Sequence, residues 1–455
     1  MTTVVSFIVV IGVLILIHEL GHFLAARWAG VHVERFSIGF GPVVLRWRGR
    51  ETEYCLSAVP MGGYVKMMGE DNPLEGGAGA VAYDPARAFA FKPLWARFLI
   101  VFAGPGMNFV LAAAIFAAVF AIVGRPVWPA VVGRVADGSP AEAAGLRSGD
   151  VITAVDGRPV RHWEEVDRAV AAADGRPLTL QVRRDGTERV VRVTPRLATV
   201  RDPIFRDERR VWELGLGPRL TPSISAVNPG SPAERAGLRP GDVVTAVAGQ
   251  PVFTPEELMQ AIQRRAGQTF ELTVERDGQP LTVSVTATPV RDRNAAGEEV
   301  EVGRIGVGIV ARAVAHEPYP LPAALGQGVV RTWDMTVVVV KGIWKLVVGA
   351  IDRSNIGGPI QIAAEAGRQA REGWVSLAVF TAVISVNLAV LNLLPVPMLD
   401  GGHLLFFVIE AVLGRPLSVR KREWAQQVGF VLLMLLMVYA LYNDLVRIDA
   451  FRFFR

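Results

Sequence analysis

His18, Glu19 and His22 lie within LILIHELGHFLAA, residues 14–26, inside an otherwise apolar run. Two imidazoles four residues apart share one face of a helix and can bind one Zn²⁺ through neutral nitrogens. Glu19, one step round that helix, can polarise a metal-bound water. The HExxH pattern is short enough to arise by chance, so its surroundings decide its meaning. Burial in lipid removes the reading of a solvated charged face, because unpaired charge near the middle of a bilayer costs a few kcal/mol or more.

A catalytic zinc of this kind takes a third protein ligand and keeps one position open. NLAVLNLLPVPMLDGGHLL, residues 387–405, offers two donors, Asp400 and His403. Pro395 and Pro397 break the helix there, so irregular backbone can carry Asp400 back toward the metal. His403 follows the Gly401–Gly402 pair at the start of a new helix and is the competitor. His18 is about 14 residues into its span, roughly 21 Å at 1.5 Å per residue, and hence past the midplane. The spans that carry His18 and Asp400 both run inward, which brings their later parts to the same face and favours Asp400.

The elements that must position these groups are membrane helices. The chain has 455 residues, 51% of them hydrophobic. Four stretches are long and apolar enough to span a bilayer, about Val4–Ala26, Leu99–Val123, Trp374–Leu394 and Val428–Tyr442 with its flanks (426–445). The first lacks a basic leader segment, since MTTVV holds no Lys or Arg, and so reads as a retained anchor. Residues 321–350 are apolar in part, but Arg331, Asp334, Lys341 and Lys345 interrupt them, and an amphipathic helix lying at the outer interface is expected within 318–371. Cys55 is the only cysteine, which excludes an intramolecular disulfide.

Lys and Arg residues set the expected orientation. Arg27, Arg35, Arg46, Arg48, Arg50, Lys66, Arg87, Lys92 and Arg97 lie between the first two spans, and Arg415, Arg420, Lys421 and Arg422 between the last two. Both connections are expected in the cytoplasm, with residues 126–371 and both termini outside, periplasmic in a Gram-negative host. A net charge of +5, dispersed along the chain, fits topology-setting and gives no nucleic-acid partner.

The outer region contains a repeat. SPAEAAGLRSGDVITAVDGRPV at 139–160 returns as SPAERAGLRPGDVVTAVAGQPV at 231–252. In each copy a short strand leads to the SPAE helix, a Gly-Asp turn, a Val/Ile strand, a second helix and two strands joined by RRDG or ERDG. This order resembles circularly permuted bacterial PDZ domains, expected at 127–213 and 214–312. Such modules capture extended chains and carboxyl termini, and Leu214, Gly215, Leu216 and Gly217 form a candidate capture loop. Rigid spacers with unused grooves are the alternative. RDPIFRDERR at 201–210 reads as a solvated loop between modules.

With HELGH in the first span, AGPGMNF from 103 in the second and NLLPVPMLDGG at the third, the chain resembles the site-2 protease family of intramembrane metalloproteases over nearly its whole length. The implied fold is a polytopic α-helical membrane protein with four transmembrane helices, an N-terminal membrane part (1–125), tandem PDZ-like α+β domains and a C-terminal membrane part (372–455). The resemblance implies one Zn²⁺ per chain held by His18, His22 and Asp400, with Glu19 as general base and acid. It assigns Asn387 and Asn392 to substrate or oxyanion contacts, although a buried Asn can equally serve helix packing. It reads residues 31–70 as a small membrane-associated β-sheet, with Gly39 and Gly41 near an edge that pairs with substrate; an ordinary soluble hairpin is the alternative. The implied partners are the lipid bilayer, peptides for the PDZ-like domains and a single-span substrate already trimmed outside, such as an anti-sigma factor or a remnant signal peptide. The implied location is the bacterial inner membrane, with the active site toward the cytoplasm. Two rivals remain from the residues alone: a membrane-anchored zincin with a water-facing site acting in quality control, and a catalytically silent PDZ receptor.

Overall fold

Helix α1 (Thr2–Trp28) is apolar on nearly every side, as a helix surrounded by lipid must be. Its buried positions Ser6, Val10, Leu14, His18 and His22 recur every four residues, so the HExxH histidines lie on the seam that meets other helices. In the computed structural model, residues 2–69, 84–201, 208–293, 299–311, 315–349 and 357–447 are described. They form two compact units, one from the two ends of the chain (1–123 and 318–455) and one from the middle (Gly124–Glu317).

After α1 the chain forms strands β1 (Val33–Arg48) and β2 (Glu53–Met67), antiparallel partners with repeated register shifts. Phe36 therefore pairs with Val65 on one side and with Tyr54 on the other. Gly39 and Gly41 take φ of +87° and +85°, which only glycine adopts freely, and mark where β1 kinks. The root of the sheet packs Val33, Phe36, Val65 and Met67 against Phe23 and Ala26 of α1. Its far part leaves Phe40, Val44, Leu45, Trp47, Leu56 and Val59 exposed, an apolar surface of the kind that covers itself with lipid or another chain. Helix α2 (Leu94–Ile122) buries Ile100, Gly104, Asn108, Ala112 and Phe116, again every fourth residue.

The middle unit repeats one hydrogen-bond plan. Helix α3 (Pro140–Ala143) is capped by Ser139, whose Oγ accepts the N–H of Glu142, and α4 (Trp163–Ala173) follows strand Val151–Val155. Helix α5 (Pro232–Arg235) is capped by Ser231 in the same way, and α6 (Pro255–Gln263) follows strand Val243–Val247. Asp150, fully buried, receives both Arg184 Nε at 2.6 Å and the N–H of Arg147 at 2.9 Å. Asp242 receives Arg276 Nε at 2.7 Å and the N–H of Arg239 at 2.8 Å. Two separate cores result, one around Val132, Ile152, Leu180 and Val182, the other around Ile224, Val244, Leu272 and Val274.

The module boundary differs from the sequence expectation. Leu214 is buried in the first core, and strand Leu216–Pro218 pairs with Val132–Val135. Leu214–Gly217 thus close the first module, because the hydrophobic residues of this loop complete that core and not the next. The equivalent of this loop in the second module is Ile305–Gly308: Gly215 and Gly306 both have positive φ, and a Cβ on either would strike the capping serine. Of the expected loop 201–210, residues 202–207 lie outside the described residues.

Five helices complete the first unit: α7 (Leu321–Val347), α8 (Pro359–Glu372), α9 (Trp374–Asn392), α10 (Asp400–Leu413) and α11 (Val419–Arg447). Among the described residues four helices are long and apolar enough to cross a membrane, α1, α2, α9 and α11, matching the four expected spans. Helix α7 is not one of them, in keeping with the charges that interrupt 321–350, and its apolar side packs on the bundle. Gly328 meets Ala113 and Ala117 of α2, and Met335, Val339 and Ile343 join a cluster with Phe116 and Val386. Small residues at Ala324 and Gly328 let the backbones approach, so the apolar face is satisfied by helices. Helix α8 is anchored at its start, where Asp444 of α11 accepts the N–H groups of Gly358, Ile360 and Gln361. A Cβ on Gly358 would meet Asp444 and the carbonyl of Ala440, which gives the GGP segment a role in close approach; Asn355 and Ile356 lie outside the described residues.

Candidate metal centre

Helix α1 presents His18 and His22 to Asp400, the first residue of α10. His18 Nε2 is 3.2 Å from Asp400 Oδ2, His22 Nε2 is 3.6 Å from Asp400 Oδ1, and the two Nε2 atoms are 3.3 Å apart. Two atoms held 2.0–2.1 Å from one tetrahedral ion lie about 3.3 Å from each other, so the three donors stand at the spacing that a shared Zn²⁺ requires. The chemistry fits as well, since two imidazoles and one carboxylate are a zinc set that leaves a fourth position open. His18, His22 and Asp400 are the one such group of side chains among the described residues.

Helix α2 supplies the backing. His22 Nδ1 lies 2.9 Å from the carbonyl oxygen of Ile100, which can only accept, so Nδ1 carries the proton and Nε2 presents its lone pair to the centre. One turn on, Gly104 leaves room for the ring: a Cβ there would collide with His22. In return, Gly21 of α1 faces the carbonyl of Ala103 too closely for any side chain. Pro105, next in line, has no N–H and releases a carbonyl of the preceding turn from the helix.

Asp400 is delivered by a strained connection. Met398 has φ of +89°, a region that non-glycine residues rarely enter and that costs on the order of 1–3 kcal/mol. Gly401 and Gly402 pack on the backbone of Leu393–Pro397, and Gly429 of α11 presses on Pro397, so the turn is held from both sides. A part-buried ion pair fixes the other end of α10. Arg97 of α2 reaches Glu410 through two nitrogens, at 2.6 and 3.3 Å.

Glu19 follows His18 and is half-buried. The β-sheet touches it: a Cβ on Gly63 of β2 would stand 2.9 Å from Glu19 Cγ. Gly63 pairs with Ile38, so this part of the sheet adjoins the proposed base, whereas Gly39 and Gly41 form the kink just beyond. His403 stands outside the converged group, its ring edge-on to Phe406. Asn387 donates its Nδ2 to the carbonyl of Val383, four residues back in its own helix, the packing alternative for that residue. Asn392 ends α9, eight residues before Asp400. Leu214–Gly217 belong to the middle unit. Sequence reasoning singled out AGPGMNF from 103, but tied neither Gly104 nor Asn108, nor Ile100 before it, to the histidines; the recurrence of one small and one polar residue at four-residue spacing in an oily helix was the available signal.

The model of a known family, described as Peptidase family M50, matches residues 6–436. The chain belongs to this family. Peptidase family M50 comprises the site-2 proteases, and the chain is a zinc metalloendopeptidase of that type on a multi-pass membrane scaffold. It is similar to the regulator of sigma-E protease RseP of Escherichia coli, 36% identical over 97% of this chain and 98% of that protein. It is also similar to a protein of Ralstonia nicotianae named for zinc metalloprotease activity, 39% identical over 98% of this chain and 99% of that one. Among solved structures, the PDZ domain of an SdrC-like protein from Listeria monocytogenes matches 20% of this chain and 88% of its own, at 18% identity and a TM-score of 0.17.

Proposed function

We propose that this M50 peptidase cleaves within the transmembrane segments of single-span proteins already trimmed outside, an anti-sigma factor or a remnant signal peptide, in a bacterial inner membrane. The observation that carries this reading is the convergence of His18, His22 and Asp400 on helices that are otherwise apolar and of membrane-spanning length. One zinc per chain would be held by these three side chains, and when bound it supplies Lewis-acid polarisation of the scissile carbonyl and a more acidic water. Glu19 takes a proton from the attacking water and delivers it to the leaving amine. His22, locked by Ile100, and Asp400, locked by its turn, keep the donors fixed while this happens. Asn392 is the proposed oxyanion contact. The sheet edge beside Gly63 is suited to draw substrate out as a strand, since a helix hides its peptide bonds. The basic connections support an orientation with this machinery toward the cytoplasm and the middle unit outside. Purified protein and a reporter transmembrane segment test the reading. Cleavage that a zinc chelator abolishes and added zinc restores is the expected result; cutting of unfolded soluble protein without cutting of the reporter would favour a water-facing protease.

The middle unit reads as a tandem pair of circularly permuted PDZ domains that bars substrates with bulky outer domains, a rejection by size. A capture reading is favoured by one observation. The second module has a groove of about 500 Å³ between α6 and the loop Gly303–Val307, lined by Met259, Ile262, Arg304 and Ile305, beside the edge strand Val307–Ala311. Such a groove suits the carboxyl terminus left by a prior cut. Deleting residues 128–312 separates the two: size rejection predicts that untrimmed substrates become cleavable, capture that trimmed ones are lost.

A further inference from the structure

His18 and His22 are held from behind by α2, but in different ways. The partner of His22 is a carbonyl, whose role is fixed. The partner of His18 is Asn108, a side-chain amide whose two ends have opposite roles. Asn108 is fully buried, with Nδ2 placed 3.2 Å from His18 Nδ1. Its Oδ1 is buried and has no hydrogen-bond partner among the described residues. A half-turn of the amide exchanges the two atoms and leaves their positions almost unchanged. In the turned orientation Oδ1 accepts a proton from His18 Nδ1, as an imidazole that offers Nε2 to the centre requires, and Nδ2 takes the buried place that Oδ1 held.

We propose that Asn108 is a positioning residue that sets the tautomer of His18, accepting the Nδ1 proton through Oδ1 so that Nε2 offers its lone pair to the metal. The inference rests on the reading of His18 as a zinc ligand. The two backing contacts are then alike in function, with an oxygen acceptor from α2 behind each imidazole, at Ile100 and at Asn108 two helical turns later. The backbone of Asn108 is pinned too, since Ser385 Oγ of α9, itself fully buried, donates to the Asn108 carbonyl at 2.8 Å. The polar group is thus aimed by two helices at one nitrogen, and outer partners of this sort typically change metal affinity 10–100-fold.

Asn108→Asp and Asn108→Leu separate acceptance from donation, because a carboxylate accepts and cannot donate, and leucine does neither. Zinc affinity is read by chelator competition on purified protein, with His18→Ala as reference. Asn108→Leu should weaken zinc by about 10–100-fold, and Asn108→Asp should hold it within a few-fold of the unaltered chain. Leucine with full affinity, or aspartate as weak as leucine, overturns the proposal. If His18→Ala itself retains zinc, the ligand reading has failed instead. A second readout needs no variant. In the zinc-loaded chain labelled with ¹⁵N-histidine, the His18 Nδ1 proton should resonate downfield of free imidazole as a hydrogen-bonded N–H; a signal at the free position would also overturn the proposal.

Discussion

Arg97 and Glu410 form a two-nitrogen ion pair with side chains only 12% and 14% exposed, joining the first turn of α2 to α10. The Arg97 guanidinium also lies 5.2 Å from the centre of the Phe407 ring. The pair matters because α10 begins with Asp400, so the hold on its later turns fixes the direction in which the carboxylate points. Removing one partner of a largely desolvated pair leaves an uncompensated charge, which is destabilising. Arg97→Ala should therefore lower the thermal midpoint in detergent and the zinc content together. Arg97→Ala with Glu410→Ala should be less damaging than the sum of the single changes. Strict additivity in the melts would show that the pair is not coupled.

Glu19→Gln keeps the size of the side chain and removes its basicity. The variant should fold, bind zinc at the level of the unaltered chain and lose cleavage by at least about 10²–10⁴-fold, the usual share of a general acid–base group. Metal analysis and the reporter assay on the same sample check this, and retained cleavage would reject Glu19 as the base.

Asp400→Ala should lower bound zinc sharply, while His403→Ala should leave it unchanged, because only the first side chain faces Nε2 of both histidines. The opposite pattern would transfer the third ligand to His403.

In the middle unit the paired aspartates predict a response to acid. Burial alone would raise the Asp150 carboxyl, but hydrogen bonds from Arg184 and the Arg147 N–H outweigh it and hold it below the usual range; Asp242 is lowered by Arg276 and Arg239 in the same way. A carboxyl lowered in the fold binds fewer protons there than in the unfolded chain, so its contribution is complete above the unfolded value of about 3.9 and is lost as pH falls below it. The unfolding midpoint of this unit should drop as pH falls below about 4, and Asp150→Asn with Asp242→Asn should flatten that slope. An unchanged slope in the double variant would mean that other carboxylates carry it.

The convergence of His18, His22 and Asp400 could be anticipated from the sequence because it lies in residue type and spacing: His18, Glu19 and His22 share one short motif, and Asp400 follows a helix break that proline announces. The four spans were legible from apolar length. The placement of α7 was not, because an amphipathic face reveals that it will be covered and not by what; Ala324 and Gly328, small residues four apart, were the hint that another helix would cover it. The module boundary was misplaced because the two repeat copies end at residues 160 and 252, while the strands that close the modules, Leu216–Pro218 and Val307–Ala311, come much later in the chain. The role proposed for Asn108 could not be read from AGPGMNF for a related reason, since its contact with His18 exists only once α2 lies against α1.

The middle unit begins with strand Arg125–Val127 and ends with strand Ala315–Glu317, and these two pair with each other in register. Facing residues in such a ribbon are only about 4.5–5.5 Å apart. To the helices on either side, an insertion of nearly two hundred residues is therefore equivalent to a tight hairpin. Its closure entropy is spent within its own stem, and α2 and α7 can find each other as though joined by a short loop. A cassette closed in this way can be exchanged, enlarged or replaced by a few glycines without asking the membrane helices to fold differently. That leaves the middle modules free to vary in size and sequence while the ends of α2 and α7 keep their places in the chain.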